Sequence, residues 1–110
     1  MIFVEIKEIM NLIEKFNKDR DWGKFHTPSN LSKSICIEAA ELLECFQWDN
    51  DNFNLDNVKE ELADVMIYCL QMAIALDVDP IEIIKNKMDK NAKKYPVEKA
   101  KGVATKYDKF

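Results

Sequence analysis

The sequence predicts an all-α fold, a four-helix bundle of antiparallel helical hairpins. Apolar residues make up 47% of the 110 positions, and there are only two glycines and three prolines, a composition typical of a globular, helix-rich chain rather than a disordered one. Apolar residues recur at three- and four-residue steps, and short links join the long helical segments. We expect one domain over residues 1–96 and a C-terminal tail over residues 97–110.

The first helix is expected over residues 2–19, where the apolar residues follow helical spacing. The segment DRDWGKFHTPSN then ends the pattern, because Gly23 and Pro28 favour a loop. This loop carries more aromatic surface than a plain connector needs, in the residues Trp22, Phe25 and His26. Loops of this kind often contribute to binding sites, and we expect the same here.

The second helix is expected over residues 30–48, with Ser29 or Asn30 as its cap, and the turn formers of DNDNFNLDN close a hairpin after it. The third helix is expected over residues 55–76. Its apolar residues cover almost the whole circumference beyond Leu62, a pattern typical of a central buried helix.

The fourth helix is expected to begin where Asp79 caps it and Pro80 takes its first position. It is expected to run to Tyr95, because Pro96 cannot continue it. The tail that follows is expected to be extended or partly ordered.

Charge and cysteine content restrict the class of protein. A net charge of −4 argues against binding to nucleic acid polymers, and no apolar run reaches the about 18 residues that a membrane-spanning helix needs. Cys36 and Cys45 would lie about 13 Å apart along one helix, too far for a disulfide. Together with Cys69 they are interpreted as free core thiols, which indicates a cytoplasmic location.

Four carboxylates stand out in the second and third helices. Glu38 points to the middle of an apolar helix face, and Glu41 lies one turn further on. Glu61 and Asp64 form a similar pair in the third helix. In an antiparallel hairpin both pairs would lie about 10–15 Å from the turn, so the four acids are predicted to face one another.

Such a cluster needs a partner, because desolvation and mutual repulsion disfavour ionised carboxylates in an apolar seam. No lysine or arginine falls on these two helix faces, so we expect a hard divalent cation, Mg²⁺, which prefers oxygen ligands. A di-iron centre is the main alternative. It normally adds Glu-x-x-His ligands from the helices, whereas the single histidine, His26, lies in a loop.

Four blocks, RDWGKFHTPSNL, IEAAELLECFQW, EELADVMIYCL and KMDKNAKKYP, resemble the MazG-like, all-α nucleoside triphosphate pyrophosphatases. The resemblance is closest to the dCTP pyrophosphatase branch and covers the chain from about residue 12 to residue 107. It implies hydrolysis of a (deoxy)nucleoside triphosphate to the monophosphate and pyrophosphate, in nucleotide-pool housecleaning. It also implies that Glu38, Glu41, Glu61 and Asp64 bind Mg²⁺ and that one of them, or Glu44, orients the attacking water.

The resemblance further implies a substrate site. Indole rings stack on nucleobases, Tyr68 lies one turn beyond Asp64, and three residues of the fourth helix share one face at four-residue spacing. The candidate substrate-binding residues are Trp22, Gly23, Lys24, Phe25, His26, Trp48, Tyr68, Lys87, Asn91 and Tyr95. The chain departs from the dCTP-specific relatives at Ile13, where they carry a base-contacting histidine, so a preference for cytosine is in doubt.

Two other functions stay open. The chain could be a non-catalytic helical interaction or regulatory module, or an enzyme like phosphoribosyl-ATP pyrophosphohydrolase, although the latter does not account for RDWGKFH and FQW. Single-domain members of the resembled family form dimers or tetramers. The apolar third helix and Ile2, Phe3 and Val4 agree with a homo-oligomer, which we expect to be a tetramer or a dimer.

Overall fold

The computed structural model describes residues 5–110, and the regular secondary structure of these residues is entirely helical. The helices are α1 (Ile6–Asp19), α2 (Pro28–Glu44), α3 (Leu55–Leu76), α4 (Pro80–Lys94) and α5 (Val97–Ala100), with short 3-10 helices at Gly23–Phe25 and Tyr107–Lys109. The described residues contain no β-strand, and the all-α prediction is confirmed. Ile2, Phe3 and Val4, which were expected in the first helix, lie outside the described residues.

The chain divides into two compact units, one ending at Val78 and the other spanning Asp79–Phe110. In the first unit, α2 and α3 pair as a helical hairpin, and α3 also contacts α1. Leu31 of α2 is only 1% exposed, and Ile13 of α1 and Ala73 of α3 are also buried. The boundary expected at residue 96 stays a prediction.

Helix α2 differs from its expected bounds at both ends. It begins at Pro28, because the Thr27 side chain accepts a hydrogen bond from the Asn30 backbone N–H at 3.2 Å and so caps the helix. It ends at Glu44 and not at Trp48. Beyond it, the chain tightens into turns, and the rings of Phe46 and Phe53 meet at 4.8 Å between centroids, which closes the hairpin.

Helix α3 has the expected bounds, and both of its ends have clear local causes. The Asn54 side chain caps its N-terminus by accepting the Asn57 backbone N–H at 3.2 Å. At its C-terminus, Asp77 adopts a left-handed conformation with φ 55°, which stops the helix. Helix α3 thus runs without interruption over 22 residues.

The first unit leaves much of its apolar surface exposed. In α2, Ile37 and Leu43 are 58% and 71% exposed, and Leu62 and Met66 of α3 are exposed as well. The expected burial of α3 is therefore not achieved within the chain, where only Gln71 and Ala73 of this helix are fully buried. An exposed apolar surface of this kind is typical of an interaction surface.

The three cysteines are free, as expected, but they are not core residues. Cys36 and Cys69 are exposed, and only Cys45 is half-buried. The Cys45 thiol donates a weak hydrogen bond to the Glu41 carbonyl oxygen at 3.7 Å. The interpretation as core thiols was wrong because it assumed that α2 and α3 were covered on all sides.

The second unit begins with a well-capped helix. The Asp79 carboxylate accepts the Ile81 backbone N–H at 2.9 Å, and Pro80 occupies the first turn of α4. After Lys94, the residues of the tail pack against Tyr95, whose ring meets those of Tyr107 and Phe110 edge-on at 5.9 and 5.8 Å. The tail is therefore partly helical and anchored by aromatic contacts. Within the described residues, no helix has both the length and the apolar character needed to cross a membrane.

Candidate functional site

Three of the four predicted acids converge between α2 and α3. Carboxylate oxygens of Glu38, Glu61 and Asp64 all lie within 4.8 Å of one another, and the three side chains are half-buried. Among the described residues, this is the one group of three or more acidic, histidine or cysteine side chains close enough to share an ion. The hairpin creates it by bringing one turn of α2 beside the first turns of α3. We call these three residues the acidic seam.

Two oxygens of the acidic seam have no partner. Glu38 Oε2 and Glu61 Oε2 are buried and make no hydrogen bond. The pKa of Glu38 is raised from 4.5 to about 7, first by burial, then by the neighbouring Glu41 carboxyl group and by the negative charges of Asp64 and Glu61. The pKa of Glu61 is also raised, first by desolvation and then by Glu41 and Asp64. The protein alone therefore stabilises the ionised carboxylates poorly.

Glu41, the fourth predicted acid, is exposed at the edge of the acidic seam. Its carboxyl group contributes to the raised pKa of both Glu38 and Glu61, so it lies beside them although it is not among the mutually close set. Glu44 is exposed. The structure thus brings together the four acids that the sequence singles out, with three inside the seam and one at its opening.

The charge of the acidic seam has no protein counter-ion within residues 5–110. The ion pairs found there are Lys15–Asp19 at 2.8 Å and Lys24–Asp21 at 3.1 Å, and both are exposed pairs outside the seam. Two orphaned buried oxygens in an all-oxygen donor set fit a hard divalent cation such as Mg²⁺. They do not fit a metal that prefers sulfur or imidazole ligands.

A cavity of about 340 Å³ opens beside Asp64, and we call it the aromatic cavity. Its lining includes Phe16 of α1, Trp22 of the loop and Tyr68 of α3. The rings of Phe16 and Trp22 meet edge-on at 5.8 Å, and the Trp22 backbone N–H donates to the Asn17 carbonyl oxygen at 3.0 Å. This bond holds the start of the loop against α1, so that the indole forms part of the cavity wall.

A second cavity, of about 680 Å³, lies next to the aromatic cavity and shares Asn17, His26 and Gln71 with it. Its lining also includes two lysines of α1 and Gly23 of the loop. The two cavities differ in their lining. The apolar surface of the aromatic cavity can hold a planar ring, whereas most of the residues that line the second cavity are polar or charged.

The candidate substrate residues of the loop differ in their positions. Trp22, Gly23 and His26 line one or both cavities. Lys24 and Phe25 are exposed and are not among the lining residues, although Lys24 lies over the Phe25 ring at 5.4 Å. The loop therefore presents one face to the cavities and the other to solvent.

The other candidates lie outside this loop. Tyr68 lines the aromatic cavity, whereas Trp48 is 89% exposed after the end of α2. Lys87, Asn91 and Tyr95 belong to the second unit. There, Lys87 is exposed, Asn91 is half-buried and the Tyr95 ring is engaged by the tail. Their roles stay predictions.

Sequence reasoning missed two buried polar residues, Asn17 and Gln71, each 8% exposed and each lining both cavities. Asn17 gave no signal, because polar residues are common near a helix end. Gln71 did give one: it is the single amide in the run MIYCLQMAIAL, which is apolar almost all round. Like the Glu38 carboxylate, a polar side chain on an apolar helix face needs a binding partner, and Gln71 could have been singled out for that reason.

A cluster of carboxylates between two paired helices of an all-helical chain is a candidate metal site. Comparison with known proteins identifies the family. The model of the MazG-like family matches residues 33–110. The chain belongs to the MazG-like family.

Individual relatives agree with this assignment. The chain is 36% identical to dCTP pyrophosphatase 1 from Mus musculus and 34% identical to dCTP pyrophosphatase 1 from Homo sapiens, over 93% of its own length in both cases. It spans only 65% of the length of these two relatives. A solved structure of a pyrophosphatase from Archaeoglobus fulgidus is similar with a TM-score of 0.75 at 40% identity, covering 87% of this chain and 96% of the archaeal one.

Proposed function

We propose that the protein is a Mg²⁺-dependent nucleotide pyrophosphohydrolase that cleaves a (deoxy)nucleoside triphosphate to the monophosphate and pyrophosphate, as part of nucleotide-pool housecleaning. The observation that carries the proposal is the acidic seam, whose two buried oxygens have no partner and which adjoins a cavity with aromatic walls. Relatives named dCTP pyrophosphatase and pyrophosphatase support the same reaction class.

In this proposal, Glu38, Glu61 and Asp64 hold the cation, and Glu41 completes its ligand set. A bound Mg²⁺ supplies a positive charge that offsets the negative charge of the phosphate chain in the transition state. The orphaned oxygens of Glu38 and Glu61 are already buried and desolvated before substrate arrives, so we expect little reorganisation on binding. The seam thereby sets where the triphosphate lies.

Glu41 is the acid that we expect to orient the attacking water. It is exposed at the opening of the acidic seam, where water has access, and its carboxyl group is near enough to those of Glu38 and Glu61 to raise the pKa of both. A carboxylate in this position can accept a proton from water while the bond between the α and β phosphates breaks. Pyrophosphate then leaves with the bridging oxygen.

The nucleoside is expected in the aromatic cavity beside Asp64. Its base would stack on Trp22 with Tyr68 close to the sugar, and each stacked base contributes about 1–3 kcal/mol. The Trp48 side chain is exposed and is not part of the core. Its indole ring is therefore available to cover the substrate. Lys87, Asn91 and Tyr95 of the second unit are expected to bind phosphate oxygens, as the resemblance implies.

The test is pyrophosphate release from a panel of the four common deoxynucleoside triphosphates, dUTP and phosphoribosyl-ATP, each with Mg²⁺ and with EDTA. We expect turnover of at least one substrate with Mg²⁺ and none with EDTA. Absence of turnover on every nucleotide would favour the non-catalytic interaction module, and turnover of phosphoribosyl-ATP alone would favour that alternative enzyme. The exposed apolar surface of α2 and α3 is the observation that favours this second candidate, a non-catalytic interaction module.

The same exposed surface supports a homo-oligomer, either a dimer or a tetramer. Residues such as Ile37, Leu43 and Met66 cost free energy in water, at about 25 cal/mol per Å² of apolar surface, and a second copy of the chain would bury them. Light scattering at micromolar concentration measures the mass directly. A monomeric mass would contradict the assembly without affecting the proposed reaction. The cytoplasmic location of the protein stays a separate prediction.

A further inference from the structure

We infer that Gln71 recognises the exocyclic amino group of the substrate's base, so that the preferred nucleotides carry cytosine or adenine. The inference rests on the proposed function, because it assigns a specificity-determining residue to the same site. It concerns a residue of α3 that has no part in holding the cation.

The first observation is a buried acceptor with no partner. The Gln71 side chain is 8% exposed, and its Oε1 atom is buried and makes no hydrogen bond. A buried amide oxygen without a donor destabilises the protein as long as no ligand supplies one. Outside the acidic seam, it is the one buried side-chain oxygen or nitrogen in this condition among the residues that the structure describes. Such an atom indicates that a donor group arrives with a ligand.

The second observation is the position of Gln71 relative to Asp64. The two residues are seven positions apart on α3, which places them on the same side of the helix and about 10 Å apart along its axis. Both line the aromatic cavity. This separation is comparable to the length of a nucleoside monophosphate. A nucleotide whose phosphates lie at the acidic seam can therefore extend its base to Gln71.

The third observation is the chemistry of the surrounding wall. Ile13, which also lines the aromatic cavity, is apolar, and its side chain offers the base no hydrogen bond. Asn17 adds a second buried amide to the wall. Cytosine and adenine each present an amino group next to a ring nitrogen that accepts a hydrogen bond, and one amide can pair with both atoms. The Gln71 Oε1 atom would accept from the amino group, and its Nε2 atom would donate to the ring nitrogen.

The bases that lack this pattern satisfy Gln71 less well. Thymine and uracil present a carbonyl oxygen where cytosine has its amino group, so Oε1 would face another acceptor. Guanine presents a carbonyl oxygen at the corresponding position of its ring. The arrangement therefore selects by the group at one position of the base. The size of the base is a separate matter, which the comparison of cytosine with adenine nucleotides measures.

The test alters that group on the substrate. We compare kcat/KM for dCTP with that for the matching triphosphate of 2-pyrimidinone, which lacks only the amino group. The same comparison is made between dATP and the triphosphate of unsubstituted purine. In the wild-type protein, we expect the amino group of the better substrate to raise kcat/KM by about 10- to 100-fold. Equal values for both pairs would overturn the inference, while turnover of either would leave the proposed function standing.

A variant then connects the effect to Gln71. Gln71→Met has nearly the same shape without the amide, and we expect it to lower the ratio of kcat/KM between the paired substrates from about 10–100 to about 1. Gln47→Met removes an exposed amide in the same unit and serves as the matched control, with an unchanged ratio.

Other outcomes are also decisive. If Gln71→Met lowers kcat/KM for all nucleotides by the same factor and keeps the ratio, Gln71 is a structural residue and the inference is wrong. If the variant does not fold, as shown by circular dichroism, the wild-type comparison of the paired substrates decides alone. If no nucleotide is turned over by the wild-type protein, the proposed function fails instead.

Discussion

The acidic seam and the wall of the aromatic cavity each contain buried oxygen atoms without a partner, but they differ in charge. In the seam, Glu38 and Glu61 carry carboxylates whose pKa values burial raises. In the cavity, Gln71 carries a neutral amide. A carboxylate can relieve its burial by taking up a proton or a cation, whereas an amide needs a hydrogen-bond donor. One helix, α3, thus offers a site for an ion at its start and a site for a polar group further along.

The largest effect that separates the two regions is on turnover. Glu38→Gln and Asp64→Asn keep the shape of the side chains but remove negative charge from the acidic seam. We expect each to lower kcat by at least about 100-fold for every nucleotide, because the seam acts on the phosphates that all substrates share. Initial rates of pyrophosphate release measure the loss.

Glu60→Gln is the matched control for these variants, since Glu60 is exposed and precedes Glu61 on α3. It should retain near-normal turnover. Near-normal turnover in Glu38→Gln or Asp64→Asn would show that the ligand assignment is wrong. A loss of kcat that differed between nucleotides with different bases would show that the acidic seam and the aromatic cavity do not act separately on phosphates and base.

The next effect is on the affinity for Mg²⁺. Because the pKa of Glu38 is raised to about 7, a proton competes with the cation below that pH. We expect the affinity measured by titration calorimetry to fall about tenfold between pH 8 and pH 6. Gln71→Met should show the same pH dependence as the wild-type protein. An affinity that does not change over this range would indicate that Glu38 is not a ligand.

A smaller effect is expected on the stability of the protein without metal. The folded protein holds the Glu38 proton more tightly than the unfolded chain, whose ordinary pKa is 4.5. The resulting stabilisation is fully present below pH 4.5 and is lost as the pH rises through about 7. Glu38→Gln should therefore raise the free energy of unfolding by about 1–2 kcal/mol at pH 8 and hardly change it at pH 5, allowing for partial exposure.

Thermal unfolding in EDTA, at both pH values, measures this difference. Saturating Mg²⁺ should reverse the order at pH 8, because only the wild-type protein gains the binding energy of the full ligand set. A variant equally stabilised at both pH values would show that the carboxylate is not the source of the effect.

The smallest effect is expected for Gln71→Met in the absence of substrate. Replacing an unpartnered buried amide by an apolar side chain of similar shape should raise the free energy of unfolding by about 1 kcal/mol. Because the amide does not titrate, the gain should be the same at pH 5 and at pH 8. A gain that depended on pH would mean that Gln71 is coupled to the acidic seam.

The residues of the two regions also differ in how far the sequence reveals them. A carboxylate in an apolar stripe is conspicuous, so the acids of α2 and α3 could be predicted from spacing alone. The bounds of α3 could be predicted as well, because Asn54 and Asp77 terminate it locally. The early end of α2 could not, since it depends on the contact between Phe46 and Phe53, which are separated by a turn.

The aromatic cavity is harder to predict for the same reason. Its wall combines α1, the loop and α3, and the burial of Asn17 results from packing between segments that are distant in the sequence. Spacing along one helix does not contain that information. It does relate Asp64 to Gln71, and that relation could have been drawn from the sequence once α3 was recognised.

The exposed thiols of Cys36 and Cys69 give the chain two built-in chemical reporters, one on α2 and one on α3. A water-soluble maleimide should label both rapidly when these helices face solvent. Cys45 should react more slowly, because it is half-buried and its thiol donates a hydrogen bond to a backbone carbonyl oxygen. Mass spectrometry of the labelled peptides at increasing protein concentration would then map, residue by residue, which helix becomes shielded.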